Sequence, residues 1–339
     1  MRIIISIALL SLLVLTLVAL AKPTFENTPE TLTWSLLPPN LVSCTQTAGA
    51  YYNGLYYQIC GLNGLSPYSH MLIYNGSSWY VSSATHPGGG VYYHSAAVLN
   101  GKIIVSGGSS QPGTYYSYTT VYDPSTSSWT NSTPMPVEGL CGTAMATYQG
   151  KCYLFGGIVG GTTVHRGNCR WTPGDSAMTR REGLPAARCY AAAAECNGKI
   201  YIFGGLDSAK NVTWTIWEYN PIPDGWSVKP CQLIVPVASA TAFTVGDEIY
   251  IIGGYPLSRT NVQIYDTVRG TIRTSTSLPV STGGHASAGY VTENGNASYT
   301  GHIFVSGGSL GLSAYLGVVG DYYYNVQPAS LGSIKACYH

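Results

Sequence analysis

Charge is the scarcest property of this sequence: Asp, Glu, Lys and Arg make up 9% of 339 residues, against the roughly 25% usual for globular domains. Sixteen basic residues face fifteen acidic ones. Phosphate backbones are held by clustered positive charge, so nucleic acid is excluded as a partner. Near-neutrality also leaves little self-repulsion and favours association with like or neutral surfaces. No Cys-x-x-Cys pair occurs, which removes zinc-ribbon and thioredoxin readings. No His-Glu-x-x-His, phosphate loop or serine in a strand-to-helix nucleophile elbow is found. The glycine-rich stretch at 156–161 ends a strand and enters a loop rather than a helix, so it does not read as a nucleotide site.

Long apolar runs are missing too, apart from one that opens the chain. Met1-Arg2 is a short basic region, Ile3 to Val18 is almost unbroken apolar sequence, and Ala19-Leu20-Ala21 has the small-x-small pattern of a cleavage site. About 16 apolar residues fall short of the roughly 20 that span a bilayer. Residues 1–21 are therefore expected to be a secretory signal peptide, leaving a secreted chain without a membrane span. In an exported protein nine cysteines imply disulfides with one thiol left over.

What is abundant is repetition. Apolar strands ending in paired glycines close at Gly108, Gly157, Gly205, Gly254 and Gly308, and a degenerate copy closes at Gly61. A period near 50 residues fits propeller blades of four strands each. Ahead of each doublet stands an alternating strand and a tight turn, Asn-Gly at 53–54, 100–101 and 197–198, a pair that tolerates the positive φ of a two-residue hairpin. After it come a variable loop, a third strand closing on an aromatic, and a fourth strand. The closing pairs are Tyr74 with Trp79, Tyr122 with Trp129, Trp171 with Met178, Tyr219 with Trp226 and Tyr265 with Ile272.

This order of apolar strand, Gly-Gly, Tyr and Trp resembles the kelch-repeat superfamily over essentially all of the mature chain. The resemblance implies an all-β fold, a six-bladed kelch-type β-propeller at 22–325 with a C-terminal tail at 326–339. Departures from the pattern are Cys60 in place of the first glycine, Met178 and Ile272 in place of Trp, and longer loops at 210–215 and 294–300. No fourth strand follows the Tyr cluster at 322–324, so Trp34 is expected to supply it, the N-terminal strand completing the last blade and closing the ring. Aligned blades suggest Cys141 with Cys189 and Cys152 with Cys196 as inter-blade disulfides, and Cys337 with Cys44 or Cys60 as a terminal one.

Candidate sites are few. His94 and His285 share a repeat position where the innermost strand begins, so two imidazoles are placed at one axial mouth, either as possible metal ligands or as ordinary kelch texture. Tyr93-His94 also resembles a stretch of the copper radical oxidases, which need a further domain that is not expected here. A sialic-acid mutarotase-like chemistry requires an acid/base pair, for which Arg188 and Glu195 are the nearest residues, without a convincing carboxylate partner. Tyrosine, with 28 copies, suits sugar stacking and protein contacts but is also a strand former; Tyr115, Tyr116 and Tyr118 lie in a loop joining second and third strands. Sequons stand at Asn75, Asn131, Asn211 and Asn296. The expected function is a secreted, non-catalytic binding or structural scaffold for a protein or carbohydrate partner, itself included, that needs no cofactor or metal. The alternative is an extracytoplasmic kelch enzyme.

Overall fold

The computed structural model describes residues 32–135, 140–256, 260–295 and 298–323. Residues 1–21, where a signal peptide is expected, Asn296, Cys337 and residues 326–339 lie outside them. The described residues form six four-stranded antiparallel sheets. From the axis outwards, blade 1 runs Ala48–Tyr52, Leu55–Asn63, Ser66–Tyr74, Trp79–Thr85, and blade 2 runs Ser95–Leu99, Lys102–Ser106, Tyr118–Asp123, Ser128–Pro134. Blade 3 is Ala144–Tyr148, Lys151–Phe155, Asn168–Trp171, Thr179–Arg181, and blade 4 is Ala192–Cys196, Lys199–Phe203, Ile216–Asn220, Gly225–Val228. Blade 5 is Thr241–Val245, Glu248–Ile252, Val262–Asp266, Thr271–Thr274. Blade 6 takes His285–Gly295, Ser298–Gly307 and Ala314–Tyr323 from its own repeat and Leu32–Leu36 from the start of the chain.

That borrowed strand pairs Trp34 with Gly317 and Leu32 with Val319. Glycine is required opposite the indole, because a Cβ at 317 would meet the Trp34 ring at 2.7 Å. The Trp34 Nε1–H donates to the Thr276 carbonyl at 3.1 Å, so Leu32–Leu36 also fastens blade 6 to blade 5. Closure in this way covers the outer edge of Ala314–Tyr323, which would otherwise stand unpaired.

Strand alternation gives each sheet two apolar faces, and six inter-blade cores result, one for each neighbouring pair. The expected aromatic pairs sit directly opposite one another: Tyr74 with Trp79, Tyr122 with Trp129, Tyr219 with Trp226 and Tyr265 with Ile272. Trp171 and Met178 share the core between blades 2 and 3.

Two rings of backbone hydrogen bonds explain the glycine doublets. In the first, the N–H of Gly61, or of the second glycine of each doublet, donates to the segment leading into the next blade. The acceptors are Val91, Leu140, Arg188, Val237 and Thr282, and Gly308 returns to Cys44 to close the circle. The preceding residue lies against the same carbonyl. At Gly156, with φ of +63°, a Cβ would stand 2.0 Å from the Arg188 oxygen. Blade 1 tolerates Cys60 there, also at positive φ, with its thiol hydrogen-bonded to the Val91 backbone.

The second ring runs round the axial mouth. Tyr93 donates to Gln46, Gly142 to Tyr93, Tyr190 to Gly142, Ser239 to Tyr190 and Gly284 to Ser239, and Thr47 donates to Gly284. Gln46, Tyr93, Tyr190 and Ser239 all hold φ between 50° and 57° to make it. A left-handed side chain costs about 1 kcal/mol or more, and an inter-blade hydrogen bond worth about 1 kcal/mol offsets it at each step.

The expected disulfides are corrected. All eight cysteines among the described residues are free thiols. Cys152 packs in the core between blades 2 and 3, whereas Cys196 packs between blades 4 and 5 and donates its thiol to the Gly246 carbonyl. Cys141 and Cys189 do share a cluster, and Cys44 lies beside Cys60, but neither pair is bonded.

Candidate functional site: the axial mouth and the doublet face

The loops after the doublets and the segments leading into each innermost strand emerge on one face, called here the doublet face. The tight hairpins and the turns before the outer strands emerge on the other. On the doublet face the second hydrogen-bond ring frames an axial cavity of about 190 Å³. Its described lining is mostly Ala, Gly, Ser and Thr, and it contains no Asp, Glu, Lys or Arg.

His94 and His285 line this cavity as expected, but their ring nitrogens do not face each other across it. Each immediately follows a ring residue and turns into the gap towards the preceding blade. His285 Nε2 lies 2.8 Å from the Thr241 hydroxyl of blade 5, and Thr143 takes the same position against Ser95, also at 2.8 Å. At His94 the equivalent residue of blade 1 is Ala48, which has no hydroxyl. Neither ring nitrogen of His94 then has a well-formed hydrogen bond, with only a weak approach to the Ile59 backbone. Burial lowers the His94 pKa to about 3, with nearby His86 adding to the effect, and lowers that of His285 to about 4. Both imidazoles are wall residues held neutral. Among the described residues no three His, Cys, Asp or Glu side chains converge as a metal site would require.

Arg188 is likewise corrected. Its side chain is 4% exposed, the guanidinium lies 4.4 Å over the Trp217 ring, and Nη2 approaches the Thr215 hydroxyl at 3.4 Å. It is a packing residue, outside the axial lining. Glu195 is turned to the opposite end of its strand, where Oε1 accepts the Gly198 N–H at 2.8 Å.

The tyrosines divide. Tyr93 and Tyr190 meet at the mouth with ring centroids 5.1 Å apart, and Tyr115 packs against the same cluster over Cys141 and Cys189. Burial pushes both thiols up to about 11, so they are protonated, inert packing groups. Tyr116 and Tyr118 instead meet edge to face with ring centroids 5.4 Å apart, and the Tyr116 hydroxyl donates to the Gly88 carbonyl. Sequence reading missed Tyr190, although its alignment with Tyr93 at the ring position was available.

Exposed large apolar side chains complete the surface. Of thirteen such residues among the described ones, Leu41, Ile234 and Val280 stand in lead-in segments of the doublet face. Leu65, Trp214, Tyr255 and Leu312 stand in its loops. Ile222 and Val268 occupy turns on the opposite face, and the remaining four lie on outer strands. Asn75 and Asn211 are exposed in a turn and a loop, and Asn131 is exposed on an outer strand.

Six four-stranded sheets keyed to one another by glycine doublets define a kelch-type β-propeller scaffold. The KLHDC2/KLHL20/DRC7 Kelch-repeats domain model matches residues 51–254, and the chain belongs to the kelch-repeat family. It is similar to beta-scruin of Limulus polyphemus, 26% identical over 220 residues that cover 61% of this chain and 24% of that protein. Alpha-scruin of the same animal is 25% identical over 222 residues, with the same 61% and 24% coverage. The matched region is thus a minor part of either relative. Among solved structures, that of YjhT superposes with a TM-score of 0.68 at 17% identity, covering 84% of this chain and 96% of that one, a likeness of fold. No helix among the described residues is long and apolar enough to cross a membrane.

Proposed function

We propose that this protein is an exported, non-catalytic binding scaffold that presents its doublet face to a protein partner. The observation that carries the reading is the uneven distribution of exposed apolar side chains, seven on the doublet face against two on the opposite face. Isolated apolar residues on a surface need no explanation, but their concentration on one face marks an interaction surface. Tyr93, Tyr115 and Tyr190 add amphipathic rings of the kind enriched at interfaces. Low charge makes a second copy of the chain one suitable partner, and a carbohydrate partner would use the same tyrosines. Non-catalytic use is supported by the uncharged axial lining and by imidazoles turned into the wall. Export rests on the apolar opening segment and the sequons, and the N-terminus and glycans of the secreted protein test it.

The binding test compares two sets of variants. Trp214→Ser, Tyr255→Ser and Leu312→Ser alter the doublet face, while Ile222→Ser and Val268→Ser alter the opposite face. Sedimentation velocity over a concentration series and a glycan array are read for each. Association or glycan binding lost only in the first set supports the proposal. Loss confined to the second set, or a strict monomer that binds no glycan and turns over a sugar or alcohol, overturns it.

A further inference from the structure

The basic residues of this neutral chain are not scattered. Five of its nine arginines stand at 166, 170, 180, 181 and 188, a stretch whose acidic residues are Asp175 and Glu182. Folding divides their tasks. Arg188 is buried against Trp217. Arg181 is committed to blade 4, with Nε 3.4 Å from the Asp224 carboxylate and Nη2 donating to the Pro221 carbonyl at 2.9 Å. Arg166 and Arg180 are exposed, and with His165 and Arg181 they line a second cleft of about 190 Å³ in blade 3. It is separate from the axial cavity, and its floor is Leu140, Leu154 and Cys169. No carboxylate belongs to its described lining.

The loop that carries His165 and Arg166 is held in place. The His165 carbonyl accepts the Arg188 N–H at 3.0 Å and the Arg166 carbonyl accepts the Leu184 N–H at 2.8 Å. His165 Nδ1 accepts the Gly167 N–H at 3.0 Å. An imidazole that accepts at Nδ1 carries its proton on Nε2, which is then a donor. Arg180 stands opposite Cys169 on the neighbouring strand, and its positive charge reaches the imidazole, where it joins burial in lowering the His165 pKa. A neutral protein has thus gathered cations round a small cleft, and guanidinium forks match the oxygens of tetrahedral anions in paired hydrogen bonds.

We propose that this cleft is an oxoanion site that takes one sulfate or phosphate group, with Arg166 and Arg180 as the clamping cations and the His165 Nε2–H as a further donor. The chain as a whole is close to neutral, so the ligand is a single anionic group rather than a polyanion. The apolar floor fits a group esterified to an organic body as well as the free ion. This site stands independently of the doublet-face reading.

Isothermal titration calorimetry of the purified protein at fixed ionic strength tests it, with sodium sulfate, sodium phosphate, 4-nitrophenyl sulfate and sodium acetate as the probes. Saturable binding of at least one tetrahedral anion, tighter than acetate, is expected. Tighter binding of the aryl sulfate points to an ester, and equal binding points to the free ion. Arg166→Ala and Arg180→Ala should each weaken binding about tenfold, the loss expected for one charge-assisted contact. Arg166→Lys, which keeps the charge and loses the fork, should lie between. Arg269→Ala, on a turn of blade 5, should change nothing. Both clamping side chains are exposed, so the variants should melt with the parent. No saturable heat from any tetrahedral anion, acetate binding as tight as sulfate, or affinity unchanged in both alanine variants overturns the proposal.

Discussion

A hydroxyl placed at residue 48 is expected to stabilise the propeller. At two junctions between innermost strands the first strand residue of one blade supplies a hydroxyl to the residue that leads into the next: Thr241 to His285 and Ser95 to Thr143, each at 2.8 Å. Ala48 occupies that place before His94, and the buried imidazole has no well-formed partner. Ala48→Ser adds the missing group. A net hydrogen bond is worth about 1 kcal/mol, and an orphaned buried polar group costs about 1–3 kcal/mol. The new side chain must itself be desolvated, so a gain of about 1 kcal/mol is expected, or roughly 2 °C in melting temperature for a domain of this size. Thr241→Val, which keeps the shape and deletes the hydroxyl, should lose about 1–2 kcal/mol by orphaning His285. Urea unfolding at pH 7.5 measures both. If Ala48→Ser fails to stabilise and Thr241→Val is neutral, the imidazoles are not limited by these partners and the reasoning fails.

Acid should destabilise the fold early. His86, His94 and His285 have pKa values lowered to about 4, 3 and 4 from 6.5. The unfolded chain therefore takes up protons first: stability is full above about pH 6.5 and falls towards pH 4 by about 1.4 kcal/mol per pH unit for each imidazole. A flat profile across that window by chemical denaturation would contradict the assignment. Gly156→Ala drives a Cβ to 2.0 Å from the Arg188 oxygen and should cost about 3 kcal/mol or more. Gly54→Ala, with nothing within 4 Å, should cost only about 1 kcal/mol; equal losses in urea unfolding would remove the steric explanation. Arg273 grips the nearly buried Glu248 carboxylate with two hydrogen bonds, at 2.7 and 3.0 Å. Arg273→Ala should cost about 3 kcal/mol by leaving that charge unpaired, and adding Glu248→Met should recover part of the loss in the same assay.

The scaffold was legible because one local rule is written six times. A glycine doublet after an apolar strand signals a backbone that must accept the next blade's carbonyl without a Cβ, and the third-strand aromatic finds its partner a short turn later. The strand at Trp34 could be assigned by counting, since the sequence pattern offers no fourth-strand aromatic after the last repeat and Trp34 fits that place. The site was less legible because its residues were judged by repeat position, while their chemistry depends on direction. His94 and His285 share a position at the mouth, yet the innermost strand turns both into the gap between blades. Cys152 and Cys196 stand near equivalent hairpin ends, but they lie in cores separated by blades 3 and 4 and cannot bond. Arg188 looked like a polar group near the axis, and its stacking on Trp217 required knowing which loop folds over it. The arginines of blade 3 were visible in the sequence. Their cleft was not, because it is built from a loop, a strand pair and a floor supplied from beyond residue 139.

Ring closure by the opening strand is tested most directly by hydrogen exchange, read by mass spectrometry on the intact, purified protein. The amides of Leu32–Leu36 that point towards Leu316–Val319, their partners across the last sheet, should exchange far more slowly than those of an unstructured peptide. Exchange of the 32–36 amides at the rate of an unstructured peptide, with the innermost strands still protected, would mean that blade 6 is not completed from the start of the chain.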